Sequence, residues 1–148
     1  MKPELLSEKP KIELYQGDCL EFIKTMPDKS VDLVLTDPPY GLGDRLSDGG
    51  GKLKDTPMAV LYRNSDWNDK LPSKEIFDEI FRISKNQIIC GGNYFGLPPT
   101  RCFIVWDKKQ HMITLSACEY IWTSFDRPPK NASYSSMDLI REHPTLKP

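Results

Sequence analysis

Apolar residues along this chain fall into short runs and helical stripes, separated by turns that carry proline and glycine. Ile12-Glu13-Leu14-Tyr15 alternates apolar and polar, which predicts a short strand ending at Gly17. Asp18 stands where a helix N-cap belongs. Leu20, Phe22, Ile23 and Met26 then form a helical stripe that Pro27-Asp28 stops. Val31 to Thr36 is a mainly apolar run and reads as a buried strand of a parallel sheet, apolar on both faces. Ser73 can cap a second helix through about Lys85, with Ile76, Phe77, Ile80, Phe81 and Ile83 as its buried face. Gln87–Cys90, Phe103–Trp106 and Cys118–Trp122 read as further buried strands, with Glu119 a polar break in the last. Gly91-Gly92-Asn93 ends the first of these three.

The least regular stretch is 42–72, with Gly49-Gly50-Gly51, Lys52 and Lys54 in it. It predicts a flexible loop inside a single domain, because loops this long in compact domains are functional or mobile. Its glycine run is not a phosphate loop: no Gly-Lys-Ser/Thr follows in register. Arg127-Pro128-Pro129-Lys130-Asn131 reads as a basic, proline-stiffened turn, and 137–148 as the lead into a helix.

Strands interleaved with helices imply an α/β domain, and 148 residues bound it to one. The formal net charge of −1 supplies no overall basic field, which argues against a non-specific DNA coat but not against an enzyme reading DNA in a local cleft. No stretch approaches the roughly 18 apolar residues of a membrane span. Met1 to Lys11 is charged and has no apolar signal segment, so a cytoplasmic protein is expected. Cys19, Cys90, Cys102 and Cys118 form no Cys-x-x-Cys pair, and no metal centre with His111 or His143 is expected.

The chemistry concentrates in Asp37-Pro38-Pro39-Tyr40, just past the Val31–Thr36 strand. The carboxyl end of a strand is where open α/β sheets bind ligands. Pro38 pushes Asp37 toward extended backbone, and neither proline has an N–H, so the turn cannot start a helix or extend a ladder. The Asp37 carboxylate and the Asp37 and Pro38 carbonyls make a stiff, acceptor-only cluster suited to an NH2 group. Tyr40 offers a face on which a planar ring can stack. A planar ring with an exocyclic amine is adenine or cytosine. Read alone, the tetrapeptide also fits an ordinary strand-terminating turn, the lesser of the two readings.

The tetrapeptide resembles the catalytic motif of amino-methylating DNA methyltransferases that use S-adenosylmethionine. Three other stretches agree in order: Gly17-Asp18-Cys19-Leu20, Cys102 to Lys108, and His143-Pro144-Thr145-Leu146-Lys147-Pro148, which is similar to the His-Pro-Thr-Gln-Lys-Pro signature of the class whose catalytic motif comes first. The resemblance implies a Rossmann-like class I methyltransferase fold, a three-layer α/β sandwich. Strands three to seven would be present here and the first two absent, together with the glycine-rich Phe-x-Gly-x-Gly loop. The expected domain is therefore a truncated catalytic half, or one part of a split enzyme completed by a second chain or a homodimer.

The resemblance also implies the chemistry. Asp37, Pro38, Pro39 and Tyr40 would be catalytic, and S-adenosyl-L-methionine would meet Asp18, Cys19, Asp37, Pro38, Thr145 and Lys147. The substrate would be double-stranded DNA, methylated on adenine N6 after base flipping. Cytosine N4, or a catalytically inactive DNA-binding or dimerisation remnant, are the alternatives. Read as part of such an enzyme, the 42–72 loop is either a surface loop or a flap that orders on DNA beside Tyr40.

Overall fold

A computed structural model describes residues 11–41, 69–109 and 116–135 of the chain. The elements in chain order are α1 (Cys19–Lys24), β1 (Val31–Thr36), α2 (Lys74–Ile83), β2 (Ser84–Cys90), β3 (Phe103–Asp107), β4 (Cys118–Thr123) and β5 (Lys130–Ser133). The fold is mixed α/β with one five-stranded sheet, in the order β1-β2-β4-β3-β5. β1 runs parallel to β2, β4 runs antiparallel to both β2 and β3, and β5 runs parallel to β3.

α2 forms because its apolar residues fall on one stripe, burying Phe77, Ile80 and Ile83. It ends at Ile83 rather than Lys85, because Ser84 turns to extended backbone (φ −113°, ψ 149°) and starts β2 without a loop. The Ser84 hydroxyl donates to the Ile80 carbonyl, 2.5 Å away, closing an open carbonyl of the last turn. Ser73 occupies the N-cap position, but its side chain makes no capping bond.

The core is Phe77, Ile80, Ile89 and Trp122, with Ile23, Val34, Phe81 and Tyr120 packed around it. Strand alternation places Val34 and Thr36 of β1 toward the helices and Leu33 and Leu35 on the opposite face. That opposite face has no helix among the described residues: Leu33 is 42% and Leu35 68% exposed. Among the described residues two layers stand where the sequence pointed to three.

Three strand expectations are corrected. Val31–Thr36 is a strand but not a buried one, since only one of its faces packs on helices among the described residues and none of its residues is buried. Ile12–Tyr15 forms no strand, and Ile12 and Leu14 are 80% and 93% exposed. Alternation alone cannot hold a strand whose N–H and C=O groups meet no neighbouring strand among the described residues. The fifth strand is instead β5, so Lys130 and Asn131 belong to the sheet edge beside β3 rather than to a turn.

Two cations tie α1, β1 and α2 together. Arg82 donates to the Met26 carbonyl (2.8 Å), the Ile23 carbonyl (3.1 Å) and Asp28 Oδ1 (2.6 Å), and pairs with Glu79. Lys29, at φ 54°, sends its Nζ to the Phe81 and Ser84 carbonyls at 2.8 and 2.9 Å. A cation on the last carbonyls of a helix complements its negative end. These bonds set the entry into β1 and hence the position of the turn that follows it.

Candidate active site

The four-residue turn leaves β1 at the carboxyl end of the sheet, beside the end of β2. Asp37 is exposed, while Pro38, Pro39 and Tyr40 are half-buried. The Tyr40 hydroxyl donates to Asp37 Oδ1 at 2.6 Å, leaving Oδ2 unpartnered among the described residues. Burial first, and then the bond to the Asp37 carboxylate, push the Tyr40 phenol well above its ordinary pKa. The hydroxyl therefore acts as a fixed donor and not as a base.

Gly91 explains why Tyr40 can sit where it does. Its φ of 65° is in the left-handed region, and a Cβ there would lie 2.2 Å from Tyr40 Cε1. Only glycine allows both the backbone and the close approach. Gly91 N donates to the Tyr120 carbonyl at 3.0 Å, and the Tyr94 N–H returns to the Gly91 carbonyl at 2.9 Å, closing a single 3-10 turn over Gly92–Tyr94. That turn brings the Tyr94 ring parallel to Tyr40, with centroids 4.8 Å apart and planes 16° apart. Phe95 tilts against Tyr40 at 6.2 Å. The thiol of Cys90, last residue of β2, is pushed up to about 11 by burial first, then by the Asp37 and Glu119 carboxylates. Glu119 is ion-paired with Lys108.

Behind the turn lies a cavity of about 480 Å³, mainly apolar, whose walls include Cys19, Ile23, Asp37, Pro38, Pro39 and Lys70. Asp18 caps α1 just beside it, its Oδ1 accepting from the Leu20 N–H at 2.7 Å and the Glu21 N–H at 3.4 Å. Its Oδ2 accepts no bond among the described residues, so the capping job leaves one oxygen for another donor.

The structure thus gathers Cys19, Asp37, Pro38 and Pro39 on one cavity, and Tyr40 turns away from it toward Tyr94. Thr145 and Lys147 lie outside the described residues, as does 42–68 of the irregular stretch. Tyr94 and Gly91 are site residues that reading the sequence did not single out. The signal was available: Gly91-Gly92-Asn93-Tyr94 follows a buried strand, and strand carboxyl ends are where such sheets place ligands.

No family model matches the chain. Its relatives match over limited stretches. It is 41% identical over 83 residues to Type II methyltransferase M.BamHI of Bacillus amyloliquefaciens, covering 56% of this chain and 16% of that protein. It is 36% identical over 44 residues to Type II methyltransferase M2.MboI of Moraxella bovis, 30% of this chain and 16% of that protein. With Type II methyltransferase M.HinfI of Haemophilus influenzae the identity is 52% over 27 residues, 18% of this chain and 8% of that protein. The chain spans about a sixth of the length of the first two, and what it shares with all three is similarity to part of a Type II methyltransferase.

Proposed function

We propose that this chain carries the catalytic turn of an S-adenosylmethionine-dependent DNA methyltransferase acting on the N6 amine of adenine. The observation that carries the reading is the Asp37 carboxylate, exposed at the carboxyl end of β1, one oxygen held by Tyr40 and the other without a partner among the described residues. An amine donates two hydrogens, and Asp37 with the Pro38 carbonyl can accept both. Accepting them draws the nitrogen lone pair out of conjugation with the ring and makes it nucleophilic. Asp37 need not take the proton before attack, since the methylated amine is acidic enough to lose it afterwards. The turn's main contribution is placement, and holding nitrogen at attack distance lowers the barrier by several kcal/mol. The adenine must leave the duplex to reach this turn.

The described residues fit one end of the cofactor. Asp18 Oδ2 can accept from its adenine amine, and Cys19, Asp37 and Pro38 line the adjoining cavity. Thr145 and Lys147 are assigned to its amino-acid end by the resemblance alone. When bound, S-adenosylmethionine supplies an electrophilic methyl group on sulfur. In the class I arrangement, β1 to β4 take the places of the fourth to seventh strands. The bare face at Leu33 and Leu35 is then where the rest of such a fold packs, from the same polypeptide or from a second chain.

The test is methyl transfer from tritium-labelled S-adenosylmethionine to genomic DNA by the full-length protein, followed by digestion to nucleosides. Label in N6-methyladenine is expected. Label in N4-methylcytosine replaces adenine by cytosine as the substrate. DNA binding without any labelled nucleoside makes the chain a binding module and overturns the proposal.

A further inference from the structure

We infer that Tyr94 is the second wall of the base slot, so that a planar amine-bearing base is held between Tyr40 and Tyr94. This rests on the reading of Asp37 and Tyr40 as a base site. The two rings already stand as parallel plates, 4.8 Å apart at their centroids and 16° from coplanar. The two plates are not held equally. Tyr40 is pinned, its hydroxyl bonded to Asp37 Oδ1 at 2.6 Å and its edge pressed on the Gly91 backbone. Among the described residues Tyr94 is hydrogen-bonded through its backbone alone, in the turn over Gly92–Tyr94, and the residue is 42% exposed.

The Tyr94 side chain also borders an apolar groove of about 600 Å³, lined by Leu71, Phe77, Phe95 and Leu97 among others. The groove gives the ring room to draw back, and an exposed ring changes rotamer far faster than any catalytic turnover. Drawing back separates the plates until each can contact one face of a base, and aromatic pairs stay attractive with centroids out to about 7 Å. In the free protein Tyr94 fills the slot itself, keeping the apolar face of Tyr40 from water. When a base enters, one ring–ring contact is exchanged for two ring–base contacts. Asp37, at the edge of the plate pair, then reads the amine of whatever lies between them.

The experiment is a titration of the 148-residue chain with adenosine, and with inosine as the analogue lacking the amine. It is read by NMR on ring-labelled tyrosine. Adenosine should shift the ring signals of both Tyr40 and Tyr94 upfield, with inosine binding more weakly. Tyr94→Ala should raise the adenosine Kd at least about fivefold, the loss of one stacking face, while Tyr94→Phe stays within about twofold of the parent. If Tyr40→Ala weakens adenosine binding but Tyr94→Ala leaves it unchanged or tightens it, Tyr94 only covers the site and the inference is overturned, with the base site intact. If adenosine shifts neither ring, and Asp37→Ala and Tyr40→Ala change nothing, the base site itself is absent and the second wall falls with it.

Discussion

The Tyr40 hydroxyl lies 2.6 Å from Asp37 Oδ1, so ring and carboxylate are held as one unit at the end of β1. The bond orients the carboxylate without consuming it. Asp37→Ala is therefore expected to reduce methyl transfer by the full-length protein more than tenfold, a barrier rise above about 1.4 kcal/mol, while DNA binding by filter retention changes little. Tyr40→Phe keeps the stacking face and should retain most activity. Tyr40→Ala should lose it, with partial recovery when the target adenine is mismatched, because an unpaired base costs less to flip. Equal losses on matched and mismatched DNA would refute stacking on Tyr40.

Gly91→Ala tests the close approach beneath that ring. The added Cβ would meet Tyr40 Cε1 at 2.2 Å from a backbone at φ 65°. Strain and overpacking together should cost about 2–4 kcal/mol, visible as a lower urea midpoint. The stacking of Tyr40 on Tyr94 should disappear at the same time, which near-ultraviolet circular dichroism detects.

Lys29 combines a left-handed backbone with two bonds from its Nζ to α2–β2 carbonyls. Lys29→Ala removes the bonds and keeps the strain, whereas Lys29→Gly removes both. The alanine variant should be the less stable of the two by roughly 1 kcal/mol in urea unfolding. The reverse order would mean that position 29 does not hold a strained left-handed backbone.

Cys90 provides the pH test. Its folded pKa, about 11, lies above the ordinary thiol value of 9.0. The folded state thus holds the proton more tightly than the unfolded chain. The contribution to stability is full below the unfolded value and is lost as pH rises toward about 11. Iodoacetamide at pH 8 should label exposed Cys19 and Cys118 well before Cys90. Cys90 labelling should rise steeply only in the upper part of that alkaline window, read by peptide mass spectrometry.

Residues 1–148 contain no Phe-x-Gly-x-Gly loop, and the described cavity offers few groups for the charged amino-acid end of S-adenosylmethionine. Affinity falls tenfold for every 1.4 kcal/mol or so of binding free energy that such a loop would have supplied. Calorimetry on the 148-residue chain should find binding weaker than micromolar. Micromolar affinity would show that these residues form a complete cofactor site.

What the sequence by itself determined is whatever depends on neighbours in the chain. Val31–Thr36 is a strand because its run of apolar and β-branched residues favours extended backbone, although Leu33 and Leu35 stay exposed, and Asp37-Pro38-Pro39-Tyr40 leaves strand and helix because two prolines remove the donors that helix or ladder would need. The stripe of α2 and the Asp18 cap of α1 are local in the same way. Ile12–Tyr15 has the pattern of a strand and is not one, because a strand also needs a partner far along the chain. Lys130-Asn131 has the composition of a turn and is a strand, because β3 offers it an edge. The site divides along the same line. The chemistry of Asp37 and Tyr40 was legible from residue type and order. That Tyr94 faces Tyr40, that Gly91 makes room for the ring, and that Lys29 and Arg82 lock β1 against α2 were decided only by tertiary structure, since each of these pairings joins residues more than 50 positions apart.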